Sequence, residues 1–199
     1  MQEIDLSKAI EALRNGDIVV YPTDTLYAFG VDIFNKESVR KVFEVKKRPL
    51  DNPLPVAVSD PVDIEKIAFM SDIARDLADY FLPGPLTMIL NKKNVILDVV
   101  TGGLDNIAVR IPDNNVALEL LSRYGPITVT SANVHGKEVL DNIRDIKRQF
   151  NSDDVAVYLD YGKLYSPPST IIDLTADTPR IIRNGAITKE EILERIEHE

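Results

Sequence analysis

Apolar positions along the chain switch between a helical and a strand period. From residue 5 to residue 15, Leu6, Ala9, Ile10 and Leu13 fall on one helical face, and Gly16 supplies the stop. "DIVVY" then reads as a short strand. Asn35 is placed to cap a helix over "KESVRKVFEVK", with Val39, Val42 and Phe43 turned inward. "LPVAV" reads as a strand, "SDIARDLADYFL" as a helix, and "PGPLTMIL" as a turn entering a strand. "NIAVRI" follows as a strand, "NVALELLSRYG" as a helix closed by Gly125, and "PITVTS" as a strand. The last third reads as a helix at "NIRDIKRQF" and strands at "VAVYL", "STIIDLT" and "RIIRNG". Thr188 and Glu191 have capping-box spacing for a final helix, "KEEILERIE". Helices alternate with strands throughout, which predicts an α/β sheet with helical cover. No repeat, low-complexity tract or linker interrupts the pattern, so one domain is expected over residues 1–199, with no additional C-terminal domain.

Composition narrows the chemistry. The chain has no cysteine, which excludes disulfides, thiol nucleophiles and Cys-ligated zinc. Its two histidines, His135 and His198, are too few and too far apart for a metal site or a Ser-His-Asp triad. No protein-ligated metal is expected. The N-terminus lacks a basic and then apolar leader, and no apolar run approaches the roughly 20 residues that span a bilayer. A cytoplasmic protein with no membrane partner is the expectation. A net charge of -9 disfavours a general nucleic-acid coat, which needs a cationic surface, but leaves room for a local basic groove.

Neither a P-loop nor a Rossmann glycine pattern occurs. What remains is a set of polar residues at predicted strand ends, where open α/β sheets bind ligands. Thr23 and Thr25 follow "VVY", where turn chemistry alone explains them. Lys46, Lys47 and Arg48 close a helix, where cations suit the dipole, but three of them against the stiff turn "PLDNP" also suit phosphates. In "IAVRIP" alternation sets Ala108 and Arg110 opposite Ile107, Val109 and Ile111, on a face that is either solvated or functional. Arg183 in "RIIRNG" leaves the same choice. Ser131 and Asn133 in "VTSANVHG", and Ser169 and Thr170 in "SPPSTIID", either cap the next segment or donate to a ligand.

"YPTDTLYAFG", "KKRPLDNP", "PGPLT", "IAVRIP", "TSAN", "STIIDLT" and "IIRNG" together resemble, in order, the YrdC/YciO family, whose best-known members are the L-threonylcarbamoyladenylate synthases. The resemblance runs from about residue 8 to the final helix. It implies a twisted mixed β-sheet with helices, curled around a large cationic cleft. It also implies condensation of L-threonine, bicarbonate and ATP, with Mg²⁺, to threonylcarbamoyl-AMP and pyrophosphate, for later transfer to tRNA by tRNA-modification proteins. By this resemblance Thr25, Arg110 and Ser169 would hold L-threonine. Lys46, Arg48, Asn52, Asn106, Ser131, Asn133 and Arg183 would hold ATP, with Lys46 and Arg48 as the catalytic cations. Ala28 stands where many synthases have glycine, Ala57 where some have histidine, and Val139 where some have serine. Two other activities fit the family: binding of double-stranded RNA or tRNA without synthase activity, and carbamoyl adenylation that needs no threonine.

Overall fold

The computed structural model describes residues 6–197, so Asp5 and His198 lie outside the described residues. Elements form where periodicity and end signals coincide. The first part of the chain gives α1 (Ser7–Arg14), β1 (Val19–Pro22), β2 (Tyr27–Gly30), α2 (Lys36–Lys46), β3 (Val56–Ala57) and α3 (Pro61–Ile67). Then come α4 (Asp72–Phe81), β4 (Leu86–Asn91), α5 (Asp98–Thr101), β5 (Asn106–Arg110), α6 (Asn115–Tyr124), β6 (Ile127–Thr128) and β7 (Thr130–Ser131). The chain continues with α7 (Ile143–Lys147), β8 (Val157–Tyr158), β9 (Thr170–Asp173), β10 (Arg180–Arg183) and α8 (Lys189–Glu197).

Asn35 caps α2 as expected, accepting from the Glu37 and Ser38 amides. Thr188 and Glu191 form the capping box of α8: the Thr188 amide donates to Glu191 Oε2 at 2.7 Å, and the Glu191 amide donates back to Thr188 Oγ1 at 3.2 Å. Two helices go beyond the expected set. Asp60 and Pro61 supply the N-cap and first position of α3, and α5 is a single turn.

The strands depart further from expectation. They make two mixed sheets rather than one, in the orders β7-β2-β1-β8 and β10-β9-β4-β5-β3-β6. "PITVTS" is not one strand: β6 pairs with β3 in the larger sheet, while β7 pairs with β2 in the smaller. "YAFG", which the polar flank disguises, is β2, paired antiparallel with β1. Both faces of this hairpin are covered. Val19, Tyr21 and Ala28 pack with Ala9, Leu13, Leu120 and Leu121 of α1 and α6, while Val20 and Phe29 pack with Val39, Val42 and Phe43 of α2. A strand buried on two faces shows no alternation, which is why its period is silent in the sequence.

In the six-stranded sheet Ile107, Val109 and Ile111 enter the main core with Leu86, Met88 and Leu90, and with Ile64, Ile67 and Leu77 of α3 and α4. The opposite face carries Asn106, Ala108 and Arg110, and register adds Ile89 and Asn91 of β4, then Ile171 and Asp173 of β9. Except for Arg110, these residues are half-open or exposed, so this part of the face is not sealed by a helical layer, whereas Ala57 of β3 and Ile127 of β6, further along the same face, are covered by α1 and α6. Among the described residues, no helix is long and apolar enough to cross a membrane.

The start of β9 is fixed by a close backbone crossing. The Ala186 amide donates to the Pro168 carbonyl at 2.9 Å, and Thr170 Oγ1 donates to the Ile187 carbonyl at 2.5 Å. A Cβ at Gly185 would collide with backbone atoms of Pro168, Ser169 and Thr170. Gly185→Ala is therefore expected to lower stability by about 1–3 kcal/mol in urea unfolding, because neither backbone segment can give way cheaply. Unchanged stability would refute this account of the crossing.

Candidate active site

All but one of the candidate residues fall into four groups built on loop and strand ends. The first centres on Arg110, at the end of β5. Its Nη1 donates to Thr25 Oγ1 at 3.0 Å, and its Nη2 donates to Asp24 Oδ1 at 2.5 Å and to the Gly84 carbonyl at 3.1 Å. Arg110 is only 4% exposed, so the solvated reading of its face is corrected: alternation places it correctly, but the β1–β2 turn covers it. That turn has the local chemistry expected of Thr23, whose Oγ1 donates to the Leu26 carbonyl and accepts from the Leu26 amide. Burial raises the Asp24 carboxyl above its ordinary range, opposed by the Arg110 charge, and burial lowers Arg110, opposed by Asp24.

The second group is Ser169, Thr87 and Arg183. Ser169 Oγ and Thr87 Oγ1 are 2.9 Å apart, and Arg183 donates through Nε and Nη2 to the Ser169 carbonyl at 3.1 and 2.7 Å. Arg183 is close enough to Arg110 for its charge to act on it.

The third group is Lys46, Ser131 and Asn133. Lys46 ends α2 but is 1% exposed, and its Nζ donates to the Ser131 and Asn133 carbonyls, the latter at 2.7 Å. Ser131 Oγ donates to Asn133 Oδ1 at 2.6 Å, and the ammonium lies 5.4 Å from the Phe29 ring centre. Burial, with the Arg48 charge second, pushes the Lys46 ammonium down to about 7.

The fourth group is the turn after α2. Lys47 takes a left-handed conformation with φ 52° and turns to solvent, so the three adjacent cations do not act as one cluster. Arg48 folds back on its own turn, donating from Nε to the Asn52 carbonyl at 3.0 Å and from Nη2 to Asn52 Oδ1 at 2.7 Å and the Pro53 carbonyl at 2.8 Å. Among the described residues, none accepts a hydrogen bond from Nη1 of Arg48.

Cations in this fold are held in two ways. Arg75, Lys92, Arg123, Arg148 and Arg195 all pair with carboxylates. Lys46, Arg48 and Arg183 are held by carbonyl, amide and hydroxyl oxygens instead, which orient a cation without cancelling it. Asn106 is the outlier among the expected residues. It begins β5 opposite Asn91, so about 13 Å of strand separates it from Arg110 at roughly 3.3 Å per residue. Asp24, Thr87 and the Gly84 carbonyl complete the groups but have no marker in the sequence beyond lying in "PTDT" and "PGPLT". Among the described residues, no three His, Asp or Glu side chains come together as a metal site.

Residues 11–185 match the sequence model of the Sua5/YciO/YrdC family, described as telomere recombination. The chain is 40% identical over 197 residues to a putative threonylcarbamoyl-AMP synthase of Methanocaldococcus jannaschii, covering 96% of this chain and 93% of that one. Its fold matches a crystal structure of Pyrococcus abyssi Sua5 complexed with L-threonine at a TM-score of 0.88 and 37% identity, over 94% of this chain and 56% of that longer one. It matches Escherichia coli YciO at a TM-score of 0.84 and 28% identity, over 92% and 90% of the two chains. With the family match spanning most of its length, the chain belongs to the Sua5/YciO/YrdC family.

Proposed function

We propose that this protein is an L-threonylcarbamoyladenylate synthase, forming threonylcarbamoyl-AMP and pyrophosphate from L-threonine, bicarbonate and ATP. The observation that carries the reading is the pairing of two unlike sites: a buried Arg110 with Thr25 beside Ser169, and a set of cations with no carboxylate partner in Lys46, Arg48 and Arg183. The first suits the carboxylate of a small amino acid, for which an RNA-binding surface has no use. The second suits a triphosphate. Relatives bearing the synthase name, and a relative's structure with L-threonine, support the same enzyme class.

The chemistry needs no protein nucleophile. The threonine amine and carbon dioxide, drawn from bicarbonate, give a carbamate; a carbamate oxygen then attacks the α-phosphorus of ATP as the bond to pyrophosphate breaks. The protein's part is to hold the carbamate in line with the α-phosphate and to stabilise charge gathering on the leaving pyrophosphate. Lys46 and Arg48 stand at the mouth of the "KKRPLDNP" turn for the second task, and Ser131 and Asn133 border them. Mg²⁺ would enter with the nucleotide, held through phosphate oxygens and water. The product is then the substrate of tRNA-modification proteins.

Pyrophosphate release from ATP is expected to require both L-threonine and bicarbonate. Release indifferent to the amino acid would refute the reading and favour carbamoyl adenylation; tight, salt-resistant RNA binding without turnover would favour the RNA-binding role.

The two arginines should fail differently. Arg48→Ala removes charge stabilisation as pyrophosphate leaves, so kcat should fall along with ATP affinity. Arg110→Lys keeps the charge but loses the planar fork, so the threonine KM should rise with kcat little changed, by up to about 2–5 kcal/mol in binding. Kinetics with each substrate varied in turn measure the split. An unchanged threonine KM in folded Arg110→Lys would move the amino-acid site elsewhere.

Lys46 gives a pH signature. With its ammonium pushed down to about 7, it is mostly neutral at pH 8 in the free protein. A bound triphosphate favours the charged form, so ATP binding should take up a proton at pH 8, and less toward pH 6, where Lys46 is already charged. Calorimetry in buffers of different ionisation heat measures the uptake. Uptake that survives in Lys46→Met would assign the proton to another group.

A further inference from the structure

Two buried polar atoms of the Asp24–Arg110 pair lack partners: Oδ2 of Asp24 and Nε of Arg110. The other such atom among the described residues, Ser38 Oγ, sits apart on α2. The first two belong to side chains already joined at 2.5 Å through Oδ1 and Nη2, so they lie near one another. One is an acceptor on an anion and the other a donor on a cation. A free anion would satisfy Nε but face the Asp24 charge, and a free cation would do the reverse. A zwitterion satisfies both. An α-amino acid carries its ammonium and carboxylate on one carbon, so it presents a charged donor and a charged acceptor side by side.

Resting on the amino-acid reading proposed above, we infer that Asp24 is a specificity-determining residue: its free oxygen receives the α-ammonium of the substrate while Arg110 takes the carboxylate. Space adjoins the pair. Asp24 and Thr23 line a cavity of about 370 Å³, Thr25 lines another of about 540 Å³, and the 164–166 segment borders both. Electrostatics favour an ammonium there. Asp113 lines the same cavity and adds negative charge at Asp24, the Lys163 ammonium that also lines it is paired with Asp141 at 3.1 Å, and burial leaves the Asp24 carboxylate under-solvated. Asp24 is the less buried partner, at 13% side-chain exposure against 5% for Arg110, and it is the member of the pair that borders the cavity.

The test compares L-threonine with 2,3-dihydroxybutyrate, which replaces the ammonium by a hydroxyl. Calorimetric titration of the full chain is expected to show wild type preferring threonine by roughly 10- to 100-fold, the span of a charged hydrogen bond. Asp24→Asn keeps Oδ1 for Arg110 and loses the charge. It should weaken threonine by most of that factor and leave the hydroxy acid nearly unchanged, so the preference collapses. Asp24→Glu should restore part of it. A purely structural role would weaken both ligands alike, which separates the two accounts. An Asn variant that is folded in a thermal melt and retains the preference overturns the inference and leaves the synthase reading standing. Tighter threonine binding by that variant overturns it too, and makes Asp24 a competitor for Arg110. Should the Asn variant not fold, wild type decides: equal affinity for the two ligands overturns the inference, and the threonine preference with partial retention in Asp24→Glu upholds it. If wild type binds no threonine at all, this inference and the amino-acid reading fall together.

Discussion

Arg110 is the bolt between the two sheets. Its backbone belongs to β5 of the six-stranded sheet, and its guanidinium reaches the β1–β2 turn of the four-stranded sheet through Asp24 and Thr25. A third bond, to the Gly84 carbonyl, ties in the turn that leads to β4. Removing one member of such a buried pair typically costs about 3–5 kcal/mol, because the other charge is left stranded. The same bolt limits what Arg110 can offer a ligand. Both hydrogens of Nη2 are in use, so neither edge of the fork is wholly free, and an incoming carboxylate must share the guanidinium with residues that already hold it. The proposed amino-acid site is in this sense part of the fold's scaffold.

The turn after α2 follows the same logic at smaller scale. Arg48 fastens to Asn52 and Pro53, between Pro49 and Pro53, while the Leu54 amide donates to the Val100 carbonyl of α5. Three fixed points and two prolines leave the loop little freedom to lose on binding. Lys46 fastens the other wall, because its bonds to the Ser131 and Asn133 carbonyls hold the segment that follows β7. Each cation expected to meet phosphate therefore also braces the backbone beside it.

Much of this fold was legible from the chain. Asn35, Ser71, Asn114 and Asn142 all cap the helices whose periodicity follows them. The failures share a cause. β2 is covered on both faces and so shows no alternation, and "PITVTS" reads as one strand although Val129 lies between two sheets. Sheet membership depends on pairing partners far along the chain, which local patterning does not encode. At the site, the alternation of "NIAVR" gave the right face for Arg110 but could not say that a turn 85 residues earlier would cover it. The cluster of three cations misled in the other direction: Lys46, Lys47 and Arg48 are adjacent in sequence, yet helix geometry and a left-handed residue send them inward, outward and back along the turn. Asp24 carries no mark of its pairing in the sequence because its partner is visible only in three dimensions.

Charge explains why the cations are handled in this way. A chain of net charge -9 repels a nucleotide triphosphate at long range, though at physiological salt that field fades over about 8 Å. Attraction must then come from cations near the phosphates, and it survives only if no carboxylate neutralises them first. Neutral oxygens around Lys46, Arg48 and Arg183 meet that condition, since they fix the direction of each side chain without a carboxylate to neutralise it, and at Lys46 it is burial that holds the charge back. Arg110 is the exception that fits its different task. An amino acid carries no net charge, so a bare arginine would favour stray anions over it. Coupled to Asp24, Arg110 presents a dipole rather than a charge, so under the proposed function a zwitterion and a triphosphate would not compete for one kind of site.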